Sequence, residues 1–281
     1  MNKIDFIAIV EAKDCNPNGN PNDGNRPRTK YNGKATITNV CVKRKIRNQL
    51  QVMGENILLQ SVGSEEDEHR SIYSRLSGQN GYKEAAEGGF DSLAEFACNN
   101  WIDIRAFGQV FAIPKKANGS ALSGGVRGCV TINPAESVCP VIVIDDKITK
   151  SLNTVDEEKG KKGSDTMGDS FRLEHAVFVV SGSINARLAE KNGFTEQDAD
   201  LIKEAIWNLF ENDVSSARPA GSMAVRHLYW VEHNKKDGQY PSGQMFNCVK
   251  VTSSSERPDK WEDYEITASF PADLNVEVRS W

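Results

Sequence analysis

Apolar and polar positions divide the chain into a few clear periods. Residues 3–12 are apolar on both registers, with Ile4, Phe6, Ala8 and Val10 alternating against Asp5, Ile7, Ile9 and Glu11. That pattern predicts a central strand with both faces largely buried. Residues 14–28 read DCNPNGNPNDGNRPR. They predict a long polar loop, because Pro17, Pro21 and Pro27 lack donors while Gly19 and Gly24 permit left-handed turns. A helix should follow over 38–50. At about 100° per residue, Val42, Ile46, Leu50 and Met53 share one arc that should face the core. Lys43, Arg44 and Arg47 fall on the adjoining arc, beside the loop's Arg26 and Arg28.

Further along, 56–61 suggests a short strand, and 64–100 reads as a polar helical insertion with Phe90, Leu93, Phe96 and Ala97 on one face, packed on the main sheet. Sheet-forming patterns are expected at 101–108, 110–113, 126–132 and 138–144, with a turn-rich loop over 115–125. Residues 149–170 are charged and glycine-interrupted and should project as an arm. An apolar strand is expected at 175–184. Thr195 and Asp198 form a capping-box variant that opens a helix burying Leu201, Ile202, Ala205, Ile206, Leu209 and Phe210. A loop at 218–226 leads into a strand at 227–232, and two more strands, 245–252 and 264–270, close the chain. The order strand, helix, insertion, strands, helix, strand predicts an α+β fold: one elaborated domain over 1–281 with a ferredoxin-like, RRM-like βαββαβ sheet, a helical insertion and an arm. The aromatic motifs with which RRM sheets stack bases are absent.

Composition adds bounds. Charged residues make up 26% of the 281 and hydrophobic ones 38%, the balance of a globular protein. A net charge of −5 argues against nucleic-acid binding over the whole surface but not against one basic face, since acidic residues cluster at 65–68, 156–158 and 196–200. The cysteines and histidines show no zinc spacing, no signal-peptide core opens the chain, and no apolar run is long enough for a membrane. A cytoplasmic protein without a cofactor is expected.

The polar loop invites three chemistries. Asp14, Asn16, Asn18 and Gly19 imitate the start of a calcium loop, but its twelfth position is Asn25, not the bidentate Glu such a site needs. Asp14 and Asp23 are candidates for a Mg²⁺-dependent nuclease, though no acid–base couple accompanies them and capping of tight turns explains them as well. The third is an anion surface: Asn39 lies near a helix N-terminus, where free N–H groups attract phosphate. Elsewhere, Gly124 and Gly125 could bring backbone close to phosphates with Arg127 adding charge, or form a plain hairpin turn. Met167, alone and apolar in a charged arm, could pack on the body or wedge between bases.

The loop phrase, followed by TNVCVKRKIRN (38–48), resembles the opening of the repeated guide-RNA-binding backbone subunit of CRISPR Cascade, subtype I-C. WIDIRAFGQV (101–110), DTMG (165–168), the helix of 193–218 and MAVRHLYWVEH (223–233) resemble further motifs of that family in the same order. The resemblance implies a hand-shaped protein with an RRM-like palm and a thumb, copies of which stack on the crRNA spacer and present it to target DNA. Other copies of the chain and the other subunits of a type I-C complex would be partners, with no membrane involved. It implies that Asn18, Arg28, Lys43, Arg44 and Arg47 hold the RNA backbone. Met167 would belong to the thumb tip, and Arg218, Met223 and Arg226 to a neighbouring RNA-facing loop. No catalysis is implied; the alternative is a Mg²⁺-dependent RNA endonuclease of a related effector complex, as type III backbone subunits use a loop aspartate.

Overall fold

The computed structural model describes residues 1–281 except 62, 64–66, 114–120 and 150–166. Strand β1 (Ile4–Cys15) opens the chain. The loop after it holds the two-residue strands β2 (Gly19–Asn20) and β3 (Arg26–Pro27) around a 3₁₀ turn, and β4 (Lys34–Ile37) leads into helix α1 (Asn39–Val52). Helices α2 (Ile72–Gly78), α3 (Tyr82–Glu87), α4 (Phe90–Asn100) and α5 (Ile102–Phe107) follow. Then come the hairpin β5 (Gly108–Ile113) and β6 (Leu122–Arg127), strands β7 (Val130–Ile132), β8 (Ala135–Pro140) and β9 (Val143–Thr149), and the long β10 (Met167–Ile184). The remainder is α6 (Ala186–Asn192), α7 (Glu196–Trp207), β11 (Met223–Glu232), α8 (Ser242–Phe246), β12 (Val249–Ser253), β13 (Tyr264–Ala268) and β14 (Asn275–Ser280).

One antiparallel sheet organises the molecule, in the order β14-β11-β1-β10-β8-β4, with β7 and β9 also paired to β10. The doubly apolar pattern of β1 is explained by its central place. Phe6, Ala8, Val10 and Ala12 join Val42, Ile46 and Leu50 of α1 and Ile202, Ala205 and Ile206 of α7 in the larger core. Ile7 and Ile9 face the other way, against Met245, Val249 and Ile266 of the α8, β12 and β13 layer. Both faces of the sheet are therefore covered. Each such Ile or Phe contributes roughly 1.5–3 kcal/mol by burial. The predicted cap of α7 is present: Thr195 and Asp198 exchange side-chain-to-backbone bonds.

Several expectations are corrected. Met53 is 38% exposed, because α1 ends at Val52 and Met53 only closes its last turn. Residues 102–107 are helical rather than extended: α5 buries Ile102, Asp103, Ile104, Ala106 and Phe107, and the alternation Ile-Asp-Ile-Arg-Ala imitates a strand period over a run too short to show a helical one. The stretch 126–132 is split at Gly128, where an added Cβ would lie 2.2 Å from the Phe107 carbonyl carbon. The chain thus passes from the β5–β6 hairpin to the main sheet across α5. The stretch 138–144 is split likewise, between β8 and β9. Residues 56–61 are not a strand; the N–H groups of Leu58 and Leu59 donate to the Asp103 carboxylate at 2.9 and 3.2 Å. The helical insertion packs into its own apolar cluster of Leu76, Ala85, Leu93, Ala97, Trp101 and Phe111, rather than onto the main sheet. β14 was not expected, and most of the projecting arm and of the 115–125 loop lies outside the described residues.

Candidate nucleic-acid interface

The polar loop is tied to α1 by one side chain. The Asn18 carboxamide oxygen accepts from both the N–H and the hydroxyl of Thr38, at 2.9 and 3.0 Å. Thr38 in turn accepts from the N–H of Cys41 as the helix N-cap. The Asn18 carbonyl also receives the N–H of Arg28 at 3.1 Å. Gly24 and Asn25 both take left-handed backbone, turning the loop back so that the Asn16 amide donates to the Asn25 carbonyl at 2.6 Å. A second loop closes on the first: Asn16 N–H donates to Ala217 O at 2.8 Å, and the Arg218 guanidinium donates to Asn16 O at 3.4 Å. Asn18, Arg28, Asn39 and Arg218 thus meet around the start of α1. Among the described residues, Arg28 Nε is buried with no hydrogen-bond partner.

The basic arc of α1 is more engaged than its sequence suggests. Arg47 is buried, and its Nε donates at 2.9 Å to Asp103, a fully buried carboxylate that also receives Leu58 and Leu59 N–H. Arg47 and Lys43 both lie over the Phe107 ring, at 5.0 and 5.3 Å from its centre. Arg44 donates to Leu59 O at 2.6 Å. Burial, and then the neighbouring Arg47 charge, push the Lys43 ammonium and the Arg44 guanidinium below their ordinary pKa values. Arg47 is the one of these three cations in contact with Asp103, and an incoming phosphate would relieve the repulsion that Lys43 and Arg44 feel from it.

The remaining candidates are dispersed. Arg26 pairs with Asp145 and lies 4.5 Å over the Phe171 ring, so it fastens the loop to β9 and β10. Gly124 packs flat against Phe90, whose ring an added Cβ would meet at 2.5 Å, while Gly125 has more room. Arg127 is exposed and lines a cleft between α4 and α6, with Asp91, Glu95 and Lys191. Met167 begins β10 opposite Thr149; its side chain is outside the described residues. Met223 is buried in the larger core, and Arg226 lies against Trp261 and Trp281. Asp14 is exposed, in left-handed backbone, 3.8 Å from Arg172. Among the described residues, no group of three or more His, Cys, Asp or Glu side chains is placed to hold a metal ion.

Sequence reasoning missed Asp103, the residue that positions the basic arc. Its signal was a lone carboxylate inside the apolar run Trp101-Ile-Asp-Ile. Two residues later Arg105 forms a bidentate pair with Asp198, at 2.9 and 2.7 Å, and so couples α5 to the cap of α7.

Comparison with known proteins fits this geometry. The CRISPR-associated protein Cas7 family profile matches residues 2–269. A CRISPR-associated protein Cas7 of Haloferax volcanii is 26% identical over 269 residues, covering 91% of this chain and 77% of that protein. The fold is similar to a chain of a solved structure described as a "CRISPR RNA-guided surveillance complex, pre-nicking", with TM-score 0.51, 15% identity, and coverage of 87% of this chain and 82% of that one. The profile spans nearly the whole chain and includes the loop, α1, α5 and β11, and the chain belongs to the Cas7 family of CRISPR-associated proteins.

Proposed function

We propose that the chain is a non-catalytic guide-RNA-binding backbone subunit of a type I-C Cascade surveillance complex. Copies stack as a filament along the crRNA spacer, beside the other subunits, in the cytoplasm. Each copy holds the RNA through its backbone, which leaves the bases free to pair with target DNA. The observation that carries this reading is the arc of α1 where Lys43 and Arg44 lie beside Arg47. Arg47 alone of the three contacts the buried Asp103 carboxylate, so that among the described residues neither Lys43 nor Arg44 has a carboxylate of its own. Asn18, Arg28 and Asn39 would extend that surface from the start of α1. Arg26, Gly124, Gly125, Arg127, Met167, Arg218 and Arg226, dispersed over other elements, would add further contacts, with the buried Met223 anchoring its loop.

Two features support an RRM-like palm within this function. Strands β11-β1-β10-β8 follow the order of a ferredoxin-like sheet, with α1 and α7 as its crossover helices. The face on which RRM domains stack bases is covered by α8, β12 and β13, which favours backbone contact over base stacking on the sheet. The test is to purify the chain co-expressed with a CRISPR array and its companion subunits, then to size the bound nucleic acid. One discrete, nuclease-protected RNA is expected. Absence of RNA would overturn the proposal. A Mg²⁺-dependent ladder abolished by Asp14→Ala or Asp23→Ala would replace it with the endonuclease reading.

A further inference from the structure

Strand β11 carries a bulge. Opposite β1, His227 pairs with Ile9 and Val225 with Val10, which leaves Arg226 without a partner position. An extra residue in one strand re-aims the side chains beside it. Here consecutive residues turn to the same side: Arg226 lies 4.7 Å over the Trp261 ring, and His227 stacks on that same ring at 5.8 Å and 22°. His227 is also stacked on Tyr229, at 6.1 Å and 11°. On the Arg226 side the series continues to Trp281, whose ring centre is 4.1 Å from the guanidinium carbon.

Trp281 is fixed yet open. Its indole N–H donates to Val225 O at 2.9 Å and its backbone N–H to Arg226 O at 3.3 Å, while the residue remains 62% exposed. A large aromatic surface held out to solvent by two hydrogen bonds is pre-organised for a flat partner. The cation beside it is paired with Glu11, 3.6 Å from the Arg226 guanidinium, and among the described residues Arg226 Nε is buried without a hydrogen-bond partner. The platform therefore combines an open π face with an ion-paired cation behind it, and its matching partner is a flat aromatic group. We propose that Trp281, backed by Arg226 and Trp261, is a stacking platform for one nucleobase of a single-stranded nucleic acid.

This proposal rests on the guide-RNA reading for the source of the strand but uses none of the α1 cations. Stacking tolerates any base and releases no counterions, so it has its own signature. The experiment measures, across a salt series, the affinity of the full chain for a short single-stranded RNA and for an abasic strand of equal length. Trp281→Ala should weaken RNA binding by roughly 5- to 100-fold. Abasic binding and the salt slope should stay unchanged, and Trp281→Phe should retain most of the affinity. Equal RNA affinity in wild type and Trp281→Ala, or equal losses for RNA and abasic strands, would overturn the platform. Lys43→Ala with Arg44→Ala separates the two readings: an unchanged salt slope there, with the Trp281 effect intact, refutes the α1 surface and leaves the platform standing.

Discussion

The two sides of helix α1 carry the same kind of residue and do different work. On one side Lys45 is buried over the Phe210 ring and paired with Asp213, which also receives Arg218 Nε at 2.6 Å. Both cations touch the carboxylate, and the side is sealed by Gln49 donating to Asn208 O at 2.5 Å. On the other side, among the cations of the described residues, only Arg47 touches Asp103, whose oxygens are shared with Leu58 and Leu59 N–H. Among the described residues no carboxylate pairs with Lys43 or Arg44. A cation in contact with a carboxylate serves as scaffold; one without such a contact, as Lys43 and Arg44 are among the described residues, is available to a phosphate. A count of lysines and arginines along the helix does not make that distinction.

The comparison can be broken by substitution, and the largest effect belongs to Asp103. Asp103→Ala leaves Arg47 buried without its partner and two N–H groups unsatisfied, at a cost of about 3–5 kcal/mol. A fall in the denaturant midpoint is the measure, and unchanged stability would mean that Asp103 does not organise the arc. Lys45→Ala removes a buried scaffold cation and should cost about 1–3 kcal/mol. Its RNA salt slope should match the wild type, since a shifted slope would show Lys45 contacting phosphate. Asn18→Ala loses the two bonds to Thr38 and should cost about 1–2 kcal/mol, read as lowered thermal stability together with faster proteolysis of the loop. The smallest effect is one of pH. The hydrogen bond from His175, opposed by burial, holds the Glu11 carboxyl below its ordinary value of 4.5. The stability it contributes is present above about pH 4.5 and is lost as pH falls through the depressed value. Glu11→Gln should flatten that part of the stability–pH curve, and an unaltered curve would dismiss the pair.

Local order was legible in the sequence, and distant partnership was not. β1, the cap of α7 and the apolar side of α1 follow from periods and capping residues that neighbours in sequence determine. The loop at 14–28 was readable as ordered turn structure because its prolines, glycines and asparagines admit little else. The residues that decide what the α1 cations do lie far away: Asp103 is 56 positions from Arg47, and Asp213 is 168 from Lys45. No periodicity links them. Helix α5 was misread because Ile102-Asp-Ile-Arg-Ala106 alternates apolar and charged residues as a strand does, and the bulge at Arg226 escaped notice because register exists only between strands.

The central claim is that the open side of α1 holds the RNA backbone. It is tested most directly by the salt dependence of single-stranded RNA affinity for Lys43→Ala with Arg44→Ala, set against wild type and Lys45→Ala. Two lost phosphate contacts should flatten the slope of log affinity against log salt by about 1.4, with little change in stability and no such flattening in Lys45→Ala. A double variant with the wild-type slope and affinity would contradict the account, because the cations of that side would then be scaffold as well.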